Sequence, residues 1–225
     1  MPEVDTIVII GNGPSMKSVN LNWFDGVHTF GMKNAYRFYS RVHWWPTYFG
    51  NFDVMSLQKN VKDYQRIVMD PNVPVQKFFM AVPVCNSPRL KLLRMRGELY
   101  EFGNTWETFG NGRNTAVNCA QAAVCMGYKR MLLIGIDCRW KHAPNAMGPY
   151  TVEDPSLDKD YFFDGYRRRG EVCNAPKPGI FHIPAWEKFG EFASECGVEV
   201  VNCSSVSTLE CFPKSTLERE LPVTG

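Results

Sequence analysis

The stretch "VDTIVIIGNGPS" is a continuous run of β-branched apolar residues over 4–10 that ends abruptly in a glycine turn. Unbroken apolar runs of this length, without polar alternation, belong to strands buried on both faces. The pattern returns in "RMLLIGID", ending at Asp137, and in "VEVVNCS" after Gly197. Shorter strands are expected at 27–31, 41–49 and 75–82. Between them, 114–126 is rich in small residues and helical in length, and 187–196 reads as a second helix with Gly197 as its C-terminal cap. Strand, turn, helix and strand in repetition predict an α/β fold, Rossmann-like, with a mostly parallel sheet and helices on both faces. In such sheets ligands bind beyond the carboxyl ends of the strands, so the site is sought just after each strand.

The 225 residues suit one domain, 1–225, and a hydrophobic content of 44% supplies its core. No apolar stretch reaches the roughly 20 residues of a membrane span. The leading MPEVD carries acid and lacks a basic lead, so a secretory signal is not expected and the cytoplasm is the expected location. The eight cysteines contain no CxxC pair, which reads as free thiols rather than a zinc cage or disulfide framework. None of the four histidines shares metal-ligand spacing with another. A net charge of +2 gives no footprint for nucleic acid.

Between Cys138 and Ile180 the chain turns rich in proline, charge and aromatics and loses periodicity. A connection that long is a functional lid or a disordered loop, and its aromatics favour an insertion that orders over a ligand. Trp44 and Trp45 belong to the core or, in an oligomer, to an interface.

Each candidate site residue has two readings. In Gly11-Asn12-Gly13-Pro14-Ser15 the backbone N–H groups face an anion, or the segment is a tight turn capped by Ser15. It lacks the third glycine of GxGxxG and the GK[ST] ending of a P-loop. Asn34 and Asn51 follow strands, where an amide reads a base edge or ribose, or else serves its own turn. Arg113 and Thr115 open the helix at 114–126, where a guanidinium, a hydroxyl and free N–H groups converge on an anion, or where they merely cap it. His182, before the last helix, is a general base near neutral pH or a hydrogen-bonded structural histidine. His28, His43 and His142 have less context. Asp137 ends a strand at the expected ligand edge, or holds the next loop.

Taken together, GNGPS, Arg113-x-Thr115, "GYKRMLLIGID" and the late histidine resemble the bacterial sialyltransferases that use CMP-sialic acid. They also resemble a related group of Rossmann-like proteins that includes an archaeal 6-hydroxymethylpterin diphosphokinase, with further similarity through "DKDYFFDGY" and "NCSSVSTLECFPKSTLEREL". The resemblance is patchy and leaves 55–105 unmatched. The first family implies a glycosyltransferase with a nucleotide-sugar donor, a CMP-sugar, and a glycan acceptor. His182 would be the general base, Asn12, Gly13 and Ser15 would contact the donor, and Asn34 and Asn51 would lie on its nucleotide or sugar side. No metal or other cofactor would be needed, because tyrosine hydroxyls stabilise the departing phosphate. Here Arg139 stands where the first of those tyrosines is expected, and Ala116 where a serine is. Tyr150 matches the second tyrosine, while Tyr161, Tyr166 and the run Arg167-Arg168-Arg169 offer other phosphate partners. The second group implies Mg²⁺ and ATP, with Asp137, Asp154 and Asp160 as ligands. A decayed, non-catalytic nucleotide- or glycan-binding module is the third reading.

Overall fold

The protein is described by a computed structural model covering residues 5–141 and 148–221. Met1–Val4 and His142 therefore lie outside the described residues.

In chain order the strands are β1 (Thr6–Ile10), β2 (His28–Met32), β3 (Tyr48–Asn51), β4 (Lys77–Met80), β5 (Leu90–Leu92), β6 (Arg96–Leu99), β7 (Gly110–Asn111), β8 (Arg130–Ile134), β9 (Pro149–Thr151), β10 (Val172–Asn174) and β11 (Glu199–Asn202). The helices are α1 (Tyr36–Val42), α2 (Val54–Lys59), α3 (Val61–Met69), α4 (Thr115–Cys125), α5 (Ile183–Glu195) and α6 (Leu217–Glu220). Seven strands form one sheet in the order β11-β8-β1-β2-β3-β4-β5, and every neighbouring pair is parallel. This is the α/β, Rossmann-like architecture expected from the buried apolar runs.

Alternation along the central strands divides the core. Ile7, Ile9, Met131 and Leu133 face the layer built from α4 and α5. Val8, Ile10, Leu132 and Ile134 face the other side. There the cover is made of short 3₁₀ turns at Pro14–Ser18 and Leu21–Phe24, α6, and the aromatics Phe162, Phe163 and Tyr166 of the long insertion. Further along the sheet, α1 and α3 pack Tyr36, Tyr39, Tyr64 and Ile67 on Phe49 and Phe78.

Two strands are shorter than their sequence suggests, and of 75–82 only Lys77–Met80 pairs, as β4. The aromatic and β-branched content of 41–49 reads as a strand from end to end, yet Arg41 and Val42 finish α1. His43 then turns the chain at φ 54°, and pairing begins only at Tyr48. Trp44 and Trp45 are half-buried against the α1 cluster. The helix expected at 187–196 starts earlier: five residues of π-helix, Pro178–His182, lead directly into α5. Asn114 caps α4 by accepting from the Ala116 N–H, and Gly197, at φ 66°, follows α5. The thiols are free, with Cys119, Cys138 and Cys203 buried and Cys211 exposed. No helix is long and apolar enough to cross a membrane among the described residues.

Candidate functional site

Sheet order fixes where the cleft opens. From β1 the chain moves one way, to β2 through β5, and from β8 it moves the other way, to β11. The connections therefore diverge beyond the carboxyl ends of β1 and β8, which is where doubly wound sheets bind ligands. A cavity of about 670 Å³ lies there, roofed by the insertion. That volume is in the range of small-molecule and cofactor sites.

Gly11, Asn12, Gly13, Asn34, Arg113, Thr115, Asp137, Arg139 and His182 all line this cavity. Pro14, Ser15, Asn51 and Tyr150 do not. The anion-turn reading of GNGPS is corrected by its hydrogen bonds. The N–H groups of Gly11, Gly13 and Met16 donate to the carbonyls of Ile134, Gly135 and Gly13 at 2.7, 2.9 and 3.1 Å. The Ser15 N–H donates to Asp137 Oδ2 at 2.9 Å, and its hydroxyl to Asp137 Oδ1 at 2.5 Å. What this turn holds is the Asp137 carboxylate, and these N–H groups are spent inside the protein. Burial raises the Asp137 carboxyl above its ordinary value, opposed by the two Ser15 hydrogen bonds.

Asn51 is fully buried behind the cleft, where its amide donates to Tyr64 Oη and Ser56 Oγ at 2.7 and 3.2 Å. It is a structural turn residue here. Asn12 and Asn34 differ: both are buried in the cavity wall and both are oriented by Tyr166. The Asn12 amide nitrogen donates to Tyr166 Oη at 3.3 Å and that of Asn34 to the Tyr166 carbonyl at 3.2 Å. Each Oδ1 is left buried with no hydrogen-bond partner. His182 Nδ1 and Trp186 Nε1, also in the wall, share that condition. Buried polar atoms are almost always satisfied, so a group of them around one cavity marks places for water or ligand atoms.

Backbone strain gathers at the same rim. Lys33, Arg113 and Cys138 have φ of 53°, 48° and 49°, conformations that side chains other than glycine adopt at a cost. All three line the cavity. Arg113 is exposed and lays its guanidinium over the Phe181 ring, 4.1 Å from the centroid. Thr115 Oγ1 accepts from the Phe52 N–H at 3.4 Å. His182 packs on Trp140 with ring centroids 4.7 Å apart. Burial lowers its imidazole to about 4, so the ring is neutral near neutral pH.

Six cationic side chains line the cavity (Lys33, Lys59, Arg113, Arg139, Arg167, Lys177) against four acids (Asp53, Asp137, Asp160, Glu171), a surplus that favours an anionic ligand. The carboxylates suggested for Mg²⁺ do not converge. Asp154 is exposed and caps the Pro155–Leu157 turn, and Asp137 is engaged by Ser15. Among the described residues no group of three or more His, Cys, Asp and Glu could hold a metal ion.

Sequence reading missed the lock that holds the insertion on the cleft. Arg37 on α1 forms a buried ion pair with Glu171 at 3.0 Å and donates to the Tyr166 carbonyl at 2.5 Å. Asn60 donates to the same Glu171 at 3.2 Å. Burial would raise the Glu171 carboxyl, but the Arg37 hydrogen bond outweighs it together with the Arg168 N–H and the Arg37 charge, and holds it low. These partners are more than a hundred residues apart in sequence, and none carries a local motif.

With this geometry in place, the class is a Rossmann-like α/β fold with a ligand cleft at its switch point. No family model and no curated protein sequence matches the chain. Among solved structures it is similar to the MAf glycosyltransferase from Magnetospirillum magneticum AMB-1, with a TM-score of 0.53 and 11% identity. That match covers 95% of this chain and 34% of the other, so the chain spans about a third of the length of that protein. At that identity the likeness is one of fold.

Proposed function

We propose that the chain is a sialyltransferase-like glycosyltransferase, moving a sugar from a nucleotide donor, a CMP-sugar, to a glycan hydroxyl. The observation that carries this reading is the cavity beyond β1 and β8, with its cationic surplus and the unpartnered Asn12 Oδ1, Asn34 Oδ1 and His182 Nδ1. The glycosyltransferase fold neighbour supports the same class.

In this reading His182 is the general base. The acceptor oxygen attacks the anomeric carbon, the bond from that carbon to the phosphate oxygen breaks, and the nucleotide departs with the electron pair. The acceptor proton passes to the unpartnered Nδ1. A base with proton affinity this low accepts the proton late, once attack has made the hydroxyl strongly acidic. The Arg113 guanidinium and Thr115 hydroxyl would orient the donor sugar, and no metal is required.

Replacing His182 by Ala tests the reading: CMP-sugar transfer should vanish while CMP binding persists. Loss of both together would make His182 a structural residue and remove the assignment. A non-catalytic nucleotide- or glycan-binding module is the second reading, favoured by the weak basicity of His182. Turnover of any donor by the purified chain would exclude it.

A further inference from the structure

Arg167 lies in the insertion between β9 and β10 and lines the cavity with only 7% of its surface exposed. Its guanidinium donates to the hydroxyls of Tyr150 and Tyr161 and packs over both rings, 5.4 and 4.8 Å from their centroids. Both partners are neutral. Its ion-pair partner is Asp158, whose Oδ2 stands 3.6 Å from Nε, beyond hydrogen-bond distance. That oxygen has no hydrogen-bond partner. Burial, reinforced by Asp160 and Glu171, pushes the Asp158 carboxyl up to about 7. At 3.6 Å and without a hydrogen bond, Asp158 is a loose countercharge to a guanidinium that stays protonated.

Four of the other cavity cations differ in kind. Lys33 is paired with Asp53 at 3.0 Å, Lys59 donates to the Val172 carbonyl, and Arg113 and Arg139 are exposed. Within the arginine run, Arg168 and Arg169 are exposed, and Arg168 pairs with Asp63 at 3.0 Å. A cation buried in a cavity wall without full compensation is costly unless something else supplies the charge.

We propose that Arg167, braced by Tyr150 and Tyr161, is the group that receives the phosphoryl moiety of the ligand in this cleft. The inference rests on the nucleotide reading of the cleft and adds which residue takes the phosphate. A guanidinium fork matches two phosphoryl oxygens at once. Both tyrosine hydroxyls accept from Arg167; that of Tyr161, which lines the cavity, keeps its own proton to donate to the same anion, while Tyr150, outside the lining, braces the guanidinium. The arrival of that charge also favours the protonated form of Asp158, which is faced by Asp160, Tyr161, Tyr166, Arg167 and Glu171 of the insertion and by Cys173 of β10. Phosphate binding near pH 7 is then coupled to proton uptake.

The test is ³¹P line broadening with inorganic phosphate, and calorimetry with CMP against cytidine, on the full chain. Wild-type protein should bind phosphate and prefer CMP over cytidine by at least about tenfold, a step of 1.4 kcal/mol. Arg167→Gln should erase that preference, Arg169→Gln should keep it, and Arg167→Lys should retain only part of it. The Lys variant keeps the charge and carries the test if Gln does not fold. CMP titrations at pH 7 in buffers of different ionisation enthalpy should show proton uptake that Asp158→Asn abolishes. A wild-type chain that binds neither phosphate nor CMP, or an Arg167 variant whose CMP affinity is unchanged, overturns the inference. Because the readout is binding, absence of sugar transfer with every donor would sink the glycosyltransferase reading and leave the Arg167 assignment standing.

Discussion

Ser15 and Asp137 clasp the turns that follow β1 and β8: one side chain supplies a hydroxyl at 2.5 Å and its own N–H at 2.9 Å to the two oxygens of the other. The Ser15 oxygen in turn accepts from the Gly135 N–H at 3.2 Å. Ser15→Ala leaves both the Asp137 oxygen and the Gly135 N–H short of a partner in a buried place. Such losses cost about 1–3 kcal/mol, read as a lowered midpoint in urea. An unchanged midpoint would mean that water or backbone movement replaces the clasp.

Glycine is required at 11 for space. A Cβ there would collide with the carbonyl of Gly135 and the side chain of Ile136. Gly11→Ala must push the two turns apart, and forced overpacking of this kind destabilises by about 1–3 kcal/mol. Gly179→Ala, where a Cβ meets open space, is the comparison and should unfold at the wild-type midpoint.

The buried Arg37–Glu171 pair ties the insertion to α1. Glu171→Gln strips the countercharge from a guanidinium that is itself buried, a change that typically costs about 3–5 kcal/mol. Hydrogen exchange should accelerate over residues 158–174 ahead of the sheet. Uniform acceleration across the whole chain would mean that the insertion and the sheet open as one unit.

His182 sets a pH dependence of known sign. Its folded value of about 4 lies below the ordinary 6.5, so the unfolded chain takes up the proton first as pH falls. The stability contributed by the neutral ring is complete above about pH 6.5 and is lost as pH falls toward 4, on the order of 3 kcal/mol in all. His182→Gln should flatten this part of the stability profile relative to wild type across that interval. If His182 is the base, the acid limb of kcat/KM falls near pH 4, and a limb near 6.5 would contradict the buried, neutral ring.

Particular residues show how much could be read in advance. The runs at 4–10, "RMLLIG" and "VEVVN" contain β1 (Thr6–Ile10), β8 and β11 because a strand buried on both faces leaves an unmistakable apolar signature. Knowing that these strands are parallel puts Asn12 and Asp137 at one end of the sheet, and together with Asn34 and Thr115 they do line one cavity. Asn51 sits at the same kind of strand end yet turns inward to Tyr64, a choice made by tertiary packing rather than by its neighbours in sequence. The 41–49 segment departs from the expected strand for a related reason: Trp44 and Trp45 suit a strand and also suit the aromatic cluster packed on α1, while Val42 ends that helix exposed. Arg37, Glu171 and Asn60 bear no motif, and their meeting depends wholly on where the insertion folds.

The most direct test of the account is thermal stabilisation of the full chain by CMP, CMP-sialic acid, UDP, GDP and ATP, each with and without Mg²⁺, since a ligand that binds the folded state raises Tm by mass action. The account predicts stabilisation by the cytidylates that is independent of Mg²⁺. Stabilisation by ATP alone, and only with Mg²⁺, or a panel that leaves Tm unmoved, would contradict it.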